Sequence, residues 1–344
     1  MIESAPRLRR GKRWNSRMKA IAIDDYGEAG NLSMRDLPDP QPGDEEILVR
    51  VRAAGVNPLD WKIRQGQLRF FLRLRFPYVL GSDIAGEVVS SGRLATKFKA
   101  GDAVFGFSDP RRGGGYAEIA VVKQATAASK LESLDYAEAA SLPVAGCAAL
   151  QALRDLGDVS RGARVLIHGG AGGVGHFAVQ IAKALGAVTT ATCGPSNVEF
   201  VRSLGTDAVI DYHQRDFLAG EDTYDVVFDA VGKTSFSACR KILAPGGIYI
   251  TTLPSPEFFL SSAIQKIAKI FGRAKQARLL MVRPNSDDLT YLGQLADEGK
   301  LKPVVCVRLP LEHAAEAHRV SQAGHVRGKI VLEIFDHAQS GPPA

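Results

Sequence analysis

The sequence lacks any uninterrupted run of ~18 apolar residues, the length at which a membrane-spanning helix is expected, so no such helix is predicted. Cysteine is scarce, and its four positions, Cys147, Cys193, Cys239 and Cys306, include no close pair. This spacing fits neither a disulfide framework nor a zinc ribbon. It is typical of a reducing compartment, and we expect a cytoplasmic location. Internal repeats are also missing, and a chain of 344 residues with 45% hydrophobic content predicts about two globular domains.

Positive charge is concentrated at one end of the chain. The formal net charge is +6, and residues 1–17 carry six basic residues against one acid, so the remainder is close to neutral. Nucleic-acid binding requires a folded stripe of positive charge, and we therefore expect no nucleic-acid partner. Residues 1–17 are expected to be a disordered basic extension; a mitochondrial presequence and a translation start at Met18 are the alternatives. Residues 337–344 are expected to be a frayed tail.

The spacing of apolar residues changes along the chain. From Met18, short β-rich runs punctuated by Gly, Pro and Asp predict an antiparallel, barrel-like region. From about Pro143, short apolar strands alternate with helix-length segments, the pattern of right-handed βαβ units and a parallel sheet. After Arg283 this alternation ends, and the tail is expected to fold back on the first region. The predicted boundaries are 18–143 with 285–336 for the barrel domain and 144–284 for the parallel-sheet domain.

A glycine-rich turn opens the parallel-sheet region. It follows the predicted strand Ala163–His168 and precedes the predicted helix His176–Leu185. It comprises Gly170, Ala171, Gly172, Gly173, Val174 and Gly175. Between a strand and a helix, G-x-G-x-x-G is typical of dinucleotide binding, because glycine lets backbone N–H groups and the positive helix end approach a pyrophosphate. A tight turn without a ligand is the alternative.

The end of the second strand, Val188–Cys193, carries no Asp or Glu. An NAD site normally places a carboxylate there to hold the ribose 2′-hydroxyl, and its absence removes the repulsion against a 2′-phosphate. The sequence therefore favours NADPH, with Ser196, Asn197 and Tyr212 as candidate phosphate contacts and Arg202 as a more distant one. Ser196 and Asn197 are equally typical of a helix cap.

Seven segments, in order along the chain, resemble one family. They are Ala54–Gly66, Leu80–Val89, Gly101–Gly106, Leu142–Gly146, Ala171–Gly175, Leu204–Tyr212 and Gly328–Leu332. Through them the chain resembles zinc-independent members of the medium-chain dehydrogenase/reductase family, similar to quinone oxidoreductases and alkenal or enone reductases. The resemblance implies an α/β fold made of a GroES-like β-barrel catalytic domain and a Rossmann domain with a doubly wound parallel sheet. It also implies nicotinamide in the cleft between the domains, and a homodimer.

The resemblance includes differences from the zinc-dependent relatives. They carry a Cys at the position of Asn57 and a Gly-His-Glu motif at Gly81–Asp83, so no metal site is expected here. Without a Lewis acid, hydrogen-bond donors must stabilise the developing oxyanion, which suits a quinone or enone because its charge is delocalised. The resemblance therefore implies NADPH-dependent reduction of quinones or α,β-unsaturated carbonyls. A zinc-free NADP-dependent alcohol or ketone dehydrogenase and an NADPH-binding redox sensor with little turnover are the alternatives.

Three neighbouring residues, Asn57, Asp60 and Lys62, are expected to be catalytic. Asn57 is expected to donate to the substrate oxygen or the nicotinamide, and Lys62 to hold the ribose or polarise the substrate. An Asn-Pro turn and a solvated pair between Lys62 and Asp60 are the alternatives. Beyond the glycine turn and the phosphate candidates, the expected cofactor contacts are Thr192, Cys193, Ala230, Val231, Leu253 and Lys329.

Two segments are both apolar and basic. Gln67–Phe76 is expected to form a lid over the cleft. Phe258–Arg278 has apolar residues at largely helical spacing and predicts an amphipathic helix. We expect that helix to be buried against the cleft or a partner subunit, and we do not expect the protein to associate with a membrane.

Overall fold

The computed structural model describes residues 17–253 and 274–335. The strands are β1 Arg17–Ile23, β2 Ser33–Pro38, β3 Glu46–Val56, β4 Tyr78–Val79, β5 Asp83–Ser91, β6 Ala103–Phe107, β7 Ile119–Lys123, β8 Ala127–Ser129, β9 Arg164–His168, β10 Val188–Cys193, β11 Ala208–Asp211, β12 Tyr224–Asp229, β13 Leu243–Thr251, β14 Gln276–Leu279, β15 Val305–Pro310 and β16 Lys329–Glu333. The α-helices are α1 Pro58–Arg64, α2 Tyr136–Ser141, α3 Pro143–Leu150, α4 Gly175–Ala184, α5 Val198–Ser203, α6 Phe236–Cys239, α7 Ser286–Asp297 and α8 Ala314–Ala323. A π-helix, Gln151–Leu156, continues α3.

Two mostly antiparallel sheets build the first part of the molecule. The larger has the order β15-β16-β3-β5-β6-β8, with β7 also paired to β3, and the smaller has the order β2-β1-β4. Alternate residues of β3, including Ile47, Val49 and Val51, are buried in the barrel core, as the period of two in a strand requires. β16 runs antiparallel beside β3, with Ile330 opposite Val56. The C-terminal segment therefore folds back on the first region, as predicted.

Strands β9 to β14 form a parallel sheet in the order β11-β10-β9-β12-β13-β14. The chain runs outward from β9 to β11 and then crosses to β12 on the other side of β9. This reversal is the topological switch point at which doubly wound sheets bind dinucleotides. Phe177 and Ile181 of α4 pack in the same buried core as Val165 and Ile167 of β9. The α/β fold with a barrel-like part and a Rossmann sheet is confirmed, while the exact domain boundaries stay a prediction.

Two details differ from the sequence-based expectation. β1 already includes Arg17, so the expected extension is one residue too long; residues 1–16 and 336–344 lie outside the described residues. The predicted helix Phe258–Arg278 is wrong at its end, because Gln276–Leu279 pairs with β13 as the edge strand β14. Residues 258–273 of that segment lie outside the described residues. In the part of the chain that is described, no helix combines the length and apolarity needed to cross a bilayer.

Candidate active site

The glycine turn connects β9 to α4 at the carboxyl end of the parallel sheet. Gly169 has a φ of +84°, a conformation that favours glycine and lets the chain reverse. Two glycines are enclosed: a Cβ on Gly175 would lie 2.0 Å from the Gly169 carbonyl oxygen, and one on Gly170 would lie 2.8 Å from Ala191 Cβ. A Cβ on Gly172 would meet only the Gly169 oxygen, at 3.5 Å. The fold therefore needs glycine at positions 170 and 175, whereas Gly172 keeps the space at the start of α4 open.

The first turn of α4 is suited to an anion. The helix begins at Gly175 without a side-chain cap, and its first backbone N–H groups carry the positive end of the helix dipole. His176 is fully buried there, with Nδ1 3.0 Å from the Gly172 oxygen, and burial lowers its pKa to about 4. The imidazole is therefore neutral at pH 7, and the backbone supplies the positive potential for a pyrophosphate.

Thr192, an expected cofactor contact, supports the turn from within the sheet. Its Oγ1 accepts a hydrogen bond from Gly169 N (3.2 Å) and lies 2.7 Å from His168 Nδ1. Thr192 is fully buried and these contacts let its side chain position the turn, while its expected contact with the cofactor stays a prediction. Cys193 is 3% exposed, and burial raises the pKa of its thiol to about 11, so it packs as a neutral side chain.

Lys329, at the start of β16, joins the turn to the barrel. Gly328 N donates to the Ala171 oxygen (2.9 Å), and a Cβ on Gly173 would lie 3.3 Å from Lys329 Cδ. The Lys329 ammonium is buried and donates to Asn57 Oδ1 at 2.5 Å. These contacts bring the glycine turn and Asn57 together where the parallel sheet meets the barrel, and this junction is hereafter called the crevice.

Asn57 is held between a cation and an anion. Its Nδ2 donates to Asp83 Oδ2 (2.8 Å), and the Lys329 ammonium lies 3.6 Å from the same oxygen. The other Asp83 oxygen accepts a hydrogen bond from Val144 N (3.0 Å) in α3. Burial raises the pKa of Asp83 and lowers that of Lys329, and their mutual attraction opposes both shifts. An amide nitrogen has two N–H groups and an ammonium three, so donors remain for a substrate oxygen.

Asp60, an expected catalytic residue, is engaged behind Asn57. Its Oδ2 accepts hydrogen bonds from Asn57 N (2.8 Å) and from the Tyr116 hydroxyl (2.9 Å), which lies 3.3 Å from His318 Nε2. Asp60 is 1% exposed, and burial raises its pKa to about 7. Because Asp60 is buried and, among the described residues, makes no ion pair with Lys62, the alternative of a solvated Asp60–Lys62 pair is wrong. The hydrogen bond from Asn57 N places the Asp60 carboxyl behind Asn57, and its expected catalytic role stays a prediction.

Among the described residues, neither Lys62 nor a side chain of Gln67–Phe76 makes a hydrogen bond to this cluster. The Lys62 ammonium is 5.5 Å from the centre of the Trp61 ring, and its expected role toward the ribose stays a prediction. Phe70 and Phe71 are 81% and 86% exposed. In this structure the two rings are bare to solvent, and the expected lid over the cleft stays a prediction.

Ser196 and Asn197 meet an arginine that the sequence analysis did not identify. Arg327 Nε donates to Asn197 Oδ1 (2.6 Å), and Arg327 Nη2 donates to the Ser196 oxygen. Asn197 makes no side-chain hydrogen bond as N-cap of α5, so for this residue the helix-cap alternative is wrong. Arg327 lies 130 positions from Asn197 in sequence, and its only sequence signal is that it directly precedes the Gly328–Leu332 motif.

The other phosphate candidates divide into two groups. Tyr212 is near the same turn, since a Cβ on Gly194 would lie 3.0 Å from the Tyr212 hydroxyl, and it is 42% exposed. Arg202 instead pairs with Glu199 (2.5 Å) on the exposed side of α5. Tyr212 is therefore placed beside Ser196 and Asn197, and Arg202 is engaged elsewhere.

The opposite wall of the crevice follows β12 and β13. Val231 contacts the turn, since a Cβ on Gly169 would lie 2.6 Å from Val231 Cγ1, and Ala230 N donates to the His168 oxygen (3.2 Å). Val231 and Leu253 are 38% and 41% exposed. These expected cofactor contacts thus present apolar surface beside the glycine turn.

Two families match the sequence. Residues 43–132 match the alcohol dehydrogenase GroES-like domain, and residues 204–332 match the family described as zinc-binding dehydrogenase. The chloroplast envelope quinone oxidoreductase homolog of Arabidopsis thaliana is 38% identical over 92% of this chain and 98% of its own length. The NADPH-dependent alkenal/one oxidoreductase, chloroplastic, of the same plant is 32% identical over 92% of this chain and 79% of its own length. The solved quinone oxidoreductase from Coxiella burnetii is 36% identical, with a TM-score of 0.83, over 93% of this chain and 100% of its own.

The expectation of a cytoplasmic location is contradicted by these relatives, because both plant proteins carry chloroplast names. Scattered, unpaired cysteines distinguish a reducing from an oxidising compartment. They do not distinguish the cytosol from the interior of an organelle, and the prediction was too narrow for that reason.

Proposed function

Since the chain belongs to the medium-chain dehydrogenase/reductase family of NAD(P)H-dependent oxidoreductases, we propose that it reduces quinones or α,β-unsaturated carbonyls with NADPH. One observation carries the proposal: Lys329 lies against the glycine turn and donates to Asn57, so an anion site and side-chain donors share one crevice. A bound nicotinamide would supply a hydride to the acceptor.

The glycine turn fits a dinucleotide. Gly172 leaves open space at the uncapped start of α4, and a side chain there would occupy the approach of a pyrophosphate. Val231 and Leu253 present half-exposed apolar surface on the adjoining wall. In this proposal the turn holds the diphosphate, and the adjoining strand ends flank it.

The residues of the crevice do not fit zinc, although one matching family is named for that metal. Catalytic zinc requires about three nitrogen, sulfur or carboxylate ligands around an open position. The residues at the corresponding place are Asn57, Ser82 and Asp83, and both Asp83 oxygens already accept hydrogen bonds. Within residues 17–253 and 274–335, no group of three or more His, Cys, Asp or Glu is arranged for a metal ion.

The chain's own donors therefore have to stabilise the oxyanion that forms on the substrate. Asn57 is fixed by Asp83, and Lys329 is fixed by Asn57, so both donors are oriented before substrate enters. A preorganised donor of this kind contributes about 3–4 kcal/mol to transition-state stabilisation. A conjugated acceptor needs less help, because its negative charge spreads over the enolate or hydroquinone. This argument favours enones and quinones over saturated ketones.

NADPH is preferred over NADH in this proposal because of the group around Arg327. The end of β10 carries no carboxylate to repel a phosphate, and Arg327 supplies a cation beside Ser196, Asn197 and Tyr212. Two of the five guanidinium N–H groups are used in these bonds, and the others are free for a 2′-phosphate.

The test is to follow NADPH absorbance with a quinone, an alkenal and a saturated ketone. Turnover of the first two and little turnover of the ketone are expected. Turnover of the ketone alone would refute the substrate class, and tight NADPH binding without turnover on any of the three would indicate a sensor. A homodimer remains a prediction from the family resemblance, to be checked by light scattering.

A further inference from the structure

The segment Gln67–Phe76, hereafter the aromatic tip, presents two bare phenylalanine rings to solvent. Phe70 and Phe71 are 81% and 86% exposed, the highest exposed fractions among the large apolar side chains of the described residues. The neighbouring side chains of Leu68, Leu72 and Leu74 pack against the barrel core. The tip is therefore anchored by one side, and within the described residues no other element of the fold covers the rings of Phe70 and Phe71.

The aromatic tip is held in shape by its own backbone. Leu72 N and Phe71 N both donate to the Leu68 oxygen, at 2.7 and 2.9 Å, and Phe76 packs edge-on against Tyr26 with ring centres 5.2 Å apart. The exposed rings thus project from a turn with fixed hydrogen bonds. Little conformational entropy is lost when such a turn docks.

Charge around the rings has one sign. Between Asp60 and Asp83 the sequence contains five basic residues and no acid, and three of these, Arg69, Arg73 and Arg75, belong to the aromatic tip. All three are exposed and form no ion pair with the described residues; the Arg69 guanidinium lies 5.0 Å from the centre of the Phe70 ring. A surface that complements the tip must therefore carry negative charge for the arginines and, just below that charge, an apolar layer for the phenylalanine rings.

We propose that the aromatic tip docks the protein on an anionic lipid bilayer. Aromatic rings are favoured at the level of the headgroups, and arginine keeps its guanidinium among phosphates while its stem lies in the apolar layer. A protein partner is less well matched, since a specific protein interface buries ~800 Å² on each side and the tip offers two rings. A bilayer needs no complementary relief. This proposal is independent of the proposed reaction and opposes the expectation that the protein does not associate with a membrane.

Vesicle flotation of the 344-residue chain tests the proposal. Vesicles of phosphatidylcholine alone are compared with vesicles containing phosphatidylglycerol, at about 0.1 M and about 1 M salt, where the Debye length falls from ~10 to ~3 Å. Flotation is expected only with the anionic vesicles and is expected to decrease at high salt. Loss of each arginine should weaken binding about fivefold, because a basic residue near an anionic surface contributes ~1 kcal/mol.

Paired variants locate the contact. F70S/F71S and R73Q/R75Q should each lower binding at least tenfold, whereas the control variants L94S and R111Q, at exposed positions elsewhere on the barrel, should float like the unaltered chain. Thermal unfolding checks that all variants fold. Because the substituted side chains are exposed, the Tm is expected to stay unchanged. Absence of flotation in the unaltered chain overturns the proposal. So does unchanged flotation of F70S/F71S, and a rise in its KM for a water-soluble quinone would then indicate a substrate lid.

Discussion

Replacing Arg327 with glutamine should abolish most of the preference for NADPH over NADH. The guanidinium donates to Asn197 and Ser196, and the turn Gly194–Asn197 carries no carboxylate. Hydrogen bonds to a charged group contribute about 1.5–3 kcal/mol, and because Arg327 is exposed and screened by salt, the lower half of this range applies. The KM for NADPH should therefore rise about 10- to 40-fold, and the KM for NADH should change less than about twofold.

Steady-state rates with a saturating acceptor, measured with NADPH and NADH in turn, give the ratio directly. Added salt should raise the KM for NADPH in the unaltered chain and should have a smaller effect in R327Q. R202Q is the matched control, because Arg202 lies on the neighbouring helix and pairs with Glu199. Equal changes in the two KM values would refute a contact between Arg327 and the 2′-phosphate, and an effect of R202Q as large as that of R327Q would move the site to α5.

Three further predictions concern the crevice. N57A removes an oriented donor and should lower kcat about 100- to 1,000-fold in steady-state assays, with little change in the Kd for NADPH. G172A should fold normally, because its Cβ meets only one protein atom, and it should lose NADPH binding measured by fluorescence, because that Cβ fills the approach to the turn. The control variant G30A, where a Cβ meets nothing within 4 Å, should bind NADPH normally. Burial raises the pKa of Asp60 to about 7. Its contribution to the free energy of unfolding is therefore full below about pH 4 and is lost as the pH rises to about 7. In urea titrations at several pH values, D60N should reduce this decline.

Each of these predictions has an outcome that contradicts it. A normal kcat for N57A would remove the amide from the chemistry. A large fall in the Tm of G172A would show that its loss of NADPH binding is a folding defect. An unchanged pH dependence in D60N would show that other buried groups, such as Asp83, control stability in that range.

Local pattern was enough to predict most of the fold. The run Ala163–His168, the glycines after it and the alternation that follows predict a strand, a turn and a helix, because each depends on residues close together in sequence. The end of the segment Phe258–Arg278 was misread because Gln276–Leu279 is a short edge strand whose pairing with β13 is a tertiary contact. Periodicity alone does not separate such a strand from the end of a helix.

The candidate site was predictable only where its chemistry is local. Asn57 and the glycine turn were recognised from their neighbours in sequence. The partners of Asn57 come from β5 and β16, and the partner of Asp60 is Tyr116, 56 positions away. Arg327 reaches Asn197 from the opposite part of the molecule. These contacts are set by the packing of the barrel against the parallel sheet, which composition and spacing do not encode.

Three successive residues, of which the last begins β16, contact three different parts of the site: Arg327 contacts Asn197, Gly328 contacts the glycine turn and Lys329 contacts the Asn57 amide. A shift of one position in this segment would displace all three residues together, so under the proposed function the coenzyme preference and the substrate donors depend on the same short segment. An engineer who wished to exchange one coenzyme for the other should therefore substitute side chains there and leave the length of the preceding loop untouched.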